Sequence, residues 1–138
     1  MGDRCYLVLH FKKVDLDVVE STLYLDRCET RQSESHSGEV LMAEIEEANY
    51  GLWGELNKLA VKNITFWGWH SDGGSYPAQR FASHGERFSS VVDSHDGVCV
   101  YVEFNKEGKV FIPDGETKNA ERYHEIVTAA CNELEGVE

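Results

Sequence analysis

Ile64-Thr65-Phe66-Trp67-Gly68-Trp69-His70-Ser71-Asp72-Gly73-Gly74-Ser75-Tyr76 opens as a strand and closes as a glycine-rich turn. Successive side chains of an extended chain point to opposite faces. Ile64, Phe66, Gly68 and His70 therefore share one face, and Thr65, Trp67 and Trp69 the other. Both faces begin apolar, which predicts a central strand covered on both sides. Gly68, between two tryptophans, predicts a bulge or the close approach of a neighbouring backbone. Asp72-Gly73-Gly74 stops the strand, because glycine supplies the positive φ of a tight turn. Two readings fit the stretch. It is a core strand whose His70 is hydrogen-bonded at the rim, or Trp67, Trp69, His70, Asp72 and Tyr76 line a recognition surface. Aromatic rings with one polar handle suit a half-buried face of that kind.

Working outward, Cys5, Leu7, Leu9 and Phe11 make an apolar strand face, with Tyr6, Val8 and His10 opposite. Asp15 can cap a helix over 16–25. The polar stretch 27–38 reads as an exposed loop. Over 40–47, Leu41, Ala43 and Ile45 alternate with Glu44 and Glu46, giving a strand with one wet face. Leu52, Leu56 and Leu59 stand at helical spacing, and Asn63 ends that helix. Beyond Tyr76, strands are expected over 80–83, 86–93, 98–104 and 109–112. Val98, Val100, Val102 and Phe104 form the inner face of the third of these. Asn105-Lys106-Glu107-Gly108 makes a hairpin turn between the last two. Pro113-Asp114-Gly115 breaks the chain before a helix over 117–134, whose stripe is Ala120, Tyr123, Val127, Ala130 and Leu134. This order predicts one α+β domain over 1–138: a mainly antiparallel sheet that contains the 98–104 and 109–112 hairpin, with about three helices packed against it, the last among them.

The chain has 138 residues, 41% hydrophobic, which suffices for one real core. No apolar run is long enough to span a bilayer, and no signal-peptide pattern opens the chain, so a cytoplasmic location is expected. A net charge of -12 argues against direct binding to nucleic acid or to an anionic membrane. It suits a partner protein with a basic surface, and it also suits simple solubility. Cys5, Cys28, Cys99 and Cys131 form no C-x-x-C pair and read as small buried hydrophobes. No cofactor is implied, and the oligomeric state is not set by these features.

Standard catalytic signatures are absent: there is no phosphate loop, dinucleotide fingerprint, H-E-x-x-H or G-x-S-x-G. His70, Asp72, His84, His95 and Asp96 fall at expected strand ends or turns, where imidazole and carboxylate could hold a divalent metal or act as an acid–base pair. Their spacing matches no ligand signature, so no catalytic or metal-binding residue is assigned. Glu44, Glu46 and Glu47, with Glu55 nearby, make one acidic patch; Glu121, Glu125, Glu133, Glu135 and Glu138 make a second. Each is either a solvated face or a surface imitating the charge of a nucleic acid. Glu44 and Glu46 join the aromatic stretch as binding candidates.

Asp3-Arg4-Cys5-Tyr6-Leu7, Asn49-Tyr50-Gly51, Phe66-Trp67-Gly68-Trp69-His70 with Gly73-Gly74-Ser75-Tyr76, and Ser94-His95-Asp96-Gly97 together resemble a family of small phage and prophage proteins. That family has no established activity and supplies no catalytic residue to carry over. The resemblance implies a phage accessory protein in the host cytoplasm. Such a protein would bind, and inhibit, a host protein such as a nucleic-acid-binding defence complex, in the manner of anti-CRISPR or anti-restriction proteins. The alternative is a small-ligand binder or metal-dependent enzyme using the region of Trp67, Trp69, His70 and Asp72.

Overall fold

A computed structural model describes residues 4–23, 29–32, 39–94 and 97–136. The elements in chain order are β1 (Arg4–Lys12), α1 (Leu16–Leu23), β2 (Glu29–Gln32), β3 (Val40–Asn49), α2 (Trp53–Val61), β4 (Phe66–His70), β5 (Gln79–His84), β6 (Arg87–Ser94), β7 (Gly97–Cys99), β8 (Glu103–Phe104), β9 (Val110–Phe111) and α3 (Asp114–Leu134). Seven strands form one sheet in the order β2-β3-β1-β4-β5-β6-β7, and each neighbouring pair is antiparallel. The fold is the α+β domain that the strand and helix periods predict.

The sheet is covered on both faces by different helices. Leu7, Leu9 and Phe11 of β1, Phe66 of β4 and Phe81 of β5 point to one face. There they meet Val19 and Leu23 of α1 and Leu56 and Leu59 of α2. Phe11, Phe66 and Phe81 are fully buried, and each such ring stabilises the fold by about 1.5–3 kcal/mol relative to exposure. On the other face, Ala82 of β5 and Val91 of β6 pack against Tyr123 and Ile126 of α3. Burial pushes the Tyr123 hydroxyl up to about 12, with Arg80 opposing that rise and Cys131 and Asp93 adding to it.

Gly68 sits at the centre of this arrangement. A Cβ there would run into the Val8 carbonyl oxygen and come within 3.0 Å of the Phe81 ring. The expected close approach is real, and β4 carries no bulge. The irregularity lies between β1 and β3, where Cys5 faces Ala48 and Leu7 faces Ile45. Glu46 and Glu47 thus both stand opposite Tyr6, as in a β-bulge.

Four expectations are corrected. Residues 29–32, read as loop, form β2 at the sheet edge, because β3 offers them an antiparallel partner. The last helix starts at Asp114 rather than 117, with Asp114 and Glu116 in its first turn, where the helix dipole favours carboxylates. Cys99 is exposed, while Cys5 is buried and Cys131 half-buried. Most consequential, Val98, Val100, Val102 and Phe104 do not face a core. β8 and β9 pair only with each other, apart from the main sheet, while α3 packs on that sheet as expected, chiefly at β5 and β6. The polar run 33–38, Cys28, His95 and Asp96 lie outside the described residues.

Candidate functional site

β4 divides the candidate residues between the two faces of the sheet. His70 points to the α1/α2 side and is 3% exposed. Its Nδ1 lies 2.7 Å from the Ser71 carbonyl oxygen. A carbonyl only accepts, so Nδ1 carries the proton and donates. The ring meets Tyr76 edge-on at 5.6 Å and lies 6.4 Å from Phe81. The expected rim hydrogen bond is present. Trp67 and Trp69 do not pack around it, because alternation sends them to the α3 side.

The floor against His70 is an unusual backbone. Tyr50, Gly51 and Leu52 all have positive φ, at 52°, 64° and 52°. Such a left-handed turn costs roughly 1–2 kcal/mol for each residue with a Cβ. Gly51 stands where a Cβ would come within 3.0 Å of the His70 ring. Tyr50, exposed, lies 6.2 Å from Tyr76. The loop after β4 closes tightly: the Gly73 N–H donates to the Tyr76 carbonyl at 3.0 Å, and a Cβ on Gly73 would enter the Tyr76 ring. Ser71 extends the ladder, its N–H donating to the Tyr6 carbonyl at 2.8 Å and its hydroxyl accepting from the Tyr6 N–H at 2.9 Å. The Asn49-Tyr50-Gly51 and Gly73–Tyr76 motifs therefore converge on one buried histidine. Asp72 is exposed beside them.

The α3 side of the same strands carries an aromatic ledge. His10 of β1 stacks on Trp67 at 3.9 Å with 7° between the rings. Tyr6 lies 5.7 Å from Trp69, which is 37% exposed. Trp67 also packs under α3, whereas Trp69 stands near the end of β4, where the helix contacts β5 and β6 instead. Cross-strand register places Glu44 opposite Val8, and Val8 opposite Trp69. The bulge adds Glu46 and Glu47 opposite Tyr6, and Arg4 pairs with Glu47 at 3.0 Å. On the other flank Arg80 faces Trp69 and is held by Asp93 at 2.6 Å. Trp69, Tyr6, Glu44 and Glu46 thus form one surface.

The histidine–carboxylate set is not assembled. His70 and His84 lie at opposite ends of the β4–β5 pair and on opposite faces. His84 Nε2 instead sits 3.3 Å from Glu133, which also takes Lys12 at 2.8 Å. Burial works to raise the Glu133 carboxyl. Hydrogen bonds from Lys12 and Thr65, and the charges of Lys12 and His84, outweigh it and hold the group below its ordinary value of 4.5. Asp15 nearby is pushed up by burial, Lys12 opposing and Glu133 adding to the rise. Glu125 pairs with Arg87 at 3.1 Å. Two members of the second acidic patch are therefore tied into the fold. Among the described residues no cluster of three or more histidine, cysteine, aspartate or glutamate side chains is arranged to hold a metal.

Sequence reasoning passed over Tyr6 and His10 as site residues. The mixed face of β1 was the available signal, but only the β1–β4 register sets them against the tryptophans. No family model, curated protein or solved structure matches the chain.

Proposed function

We propose that this is a non-enzymatic binding domain that docks a basic protein segment on the surface formed by Tyr6, Trp69, Glu44 and Glu46. The observation that carries the reading is the exposed Trp69 with the half-buried Tyr6 against it, beside those carboxylates, at the part of the sheet beyond α3. An arginine guanidinium stacks on tryptophan and tyrosine faces and pairs with carboxylate at its edge. A net charge of -12 steers a basic partner toward the molecule. With the resemblance to phage accessory proteins, the natural partner is a host protein whose basic groove handles nucleic acid, and occupation of that groove would inhibit it. The competing ligand-pocket reading needs Trp69 and His70 in one wall, and the sheet puts them on opposite faces.

Titration of the full chain with an oligo-arginine peptide, read by tryptophan fluorescence and heteronuclear NMR, tests this. Binding should weaken steeply with salt, and Trp69→Ala or a Glu44→Lys/Glu46→Lys double variant should each weaken it about tenfold or more. Salt-independent binding, or shifts that avoid Tyr6 and Trp69, would sink the proposal.

A further inference from the structure

Residues 100–112, which follow β7, form an arm whose hairpin stands apart from the main sheet. Asn105 closes its turn: its N–H donates to the Lys109 carbonyl, and its side-chain oxygen accepts from the N–H groups of Glu107 and Lys109. Gly108 supplies the positive φ the turn needs. Yet Tyr101, Val102, Phe104, Val110, Phe111 and Ile112 are 44–70% exposed. With Val98 and Val100 they expose on the order of 700 Å² summed over both sides of the hairpin, comparable to the largest apolar patch of an ordinary monomer, which is often functional. A two-stranded hairpin is marginal in water by itself. Upstream of it, β7 is the last strand of the main sheet, so one side of its backbone faces outward at an apolar edge.

We infer that this arm is a self-association element and that its occupant is a second copy of the same chain. Three observations select that occupant. Paired fully through their arms, two copies would bury up to roughly 1,400 Å², which reaches the range of a stable interface. The arm is charge-balanced, with Glu103 and Glu107 against Lys106 and Lys109. It therefore neither attracts a basic protein nor repels an identical arm, although the whole chain is strongly acidic. One side of the hairpin is apolar, with Phe104 paired to Val110, and the other sets the Phe111 ring beside Glu103, so each side carries an exposed ring. An arm of that kind is satisfied by being sandwiched, as in an isologous two-fold contact, rather than by lying on a flat surface.

Sedimentation velocity of the full chain between about 1 and 100 µM tests the inference, that range bracketing micromolar affinity. The expected species has twice the 15.6 kDa mass of one chain. A Phe104→Asp/Val110→Asp variant should raise the dimer dissociation constant at least about a hundredfold. Its far-UV circular dichroism should be retained, because Phe104 and Val110 are exposed and β8 and β9 pair only with each other. Phe111→Ser, a milder change on the opposite side, should also weaken the dimer. A wild-type chain that stays monomeric throughout overturns the inference. So does a dimer indifferent to both variants, or a monomer that instead binds neutral phosphatidylcholine vesicles through the arm.

Discussion

β1 and the 98–104 run carry nearly the same pattern, apolar side chains at every second position, and meet opposite fates. Leu7, Leu9 and Phe11 are sealed between strands and under helices, whereas Val102 and Phe104 stand in solvent. The difference is not in local preference, since both segments become strands where they find a partner. It lies in what the chain can place over them. α1 and α2 cover β1 and β4, and α3 is taken up by β5 and β6. Among the described residues no further helix is left for the hairpin. Alternation specifies that a strand has an inner face; it does not specify whether the covering comes from the same chain.

The comparison breaks most openly at two phenylalanines. Phe66→Ala should cost about 3–5 kcal/mol in urea unfolding, through lost transfer energy and the cavity left behind. Phe104→Ala, measured at a concentration where the chain is monomeric, should stay within about 0.5 kcal/mol of wild type. Equal costs would mean that the arm is packed after all.

The place where α3 docks sharpens the contrast. Ile126 is fully buried and Val127 half-buried against Ala82, Val91 and Trp67. Ile126→Asp should destabilise by about 3 kcal/mol and Val127→Asp by about 1 kcal/mol, as burial of an unpaired carboxylate scales with how far water is excluded. The reverse order would place the helix on a different face.

At the converging turns around His70 the expected effect is smaller. His70→Ala removes the Nδ1–H bond to Ser71 and should cost roughly 1–3 kcal/mol. Gly51→Ala forces a Cβ toward the ring from a left-handed backbone and should cost about 1–2 kcal/mol. Additive losses in the double variant would show that the two positions do not act on each other, contrary to their contact.

The mildest effect is one of pH. Glu133 has a folded value below its ordinary one, so its ionised form stabilises the fold above the unfolded value and that contribution is lost as pH falls through the folded value. The stability gap between wild type and Glu133→Gln should shrink as pH falls below about 5. A gap that persists into strong acid would mean that Lys12 and His84 do not hold this carboxylate.

Much of the candidate site was legible in part. Thr65, Trp67 and Trp69 opposite Phe66, Gly68 and His70 followed from the two-residue period, and Gly68 announced a close neighbour. What could not be read was which other residues each face would meet. The rings beside Trp67 and Trp69 belong to His10 and Tyr6, some sixty residues away, and register alone brings them there. The left-handed turn at Tyr50–Leu52 gave no local signal either, because two of its three residues are types that ordinarily avoid that conformation.

By itself the sequence determined the kind and order of the main elements, the faces of the central strand, the buried stripe of the last helix and the excess of negative charge. These are properties of neighbours along the chain, where steric preference and the periods of helix and strand act over a few residues. Only the tertiary structure decided which residues Trp69 and His70 each meet on their opposite faces, that Glu133 is tied to Lys12 and His84, and that the 103–111 hairpin stands apart from the main sheet. Those outcomes depend on register and on which helix reaches which strand. Both are set by competition among long-range contacts that no short segment encodes.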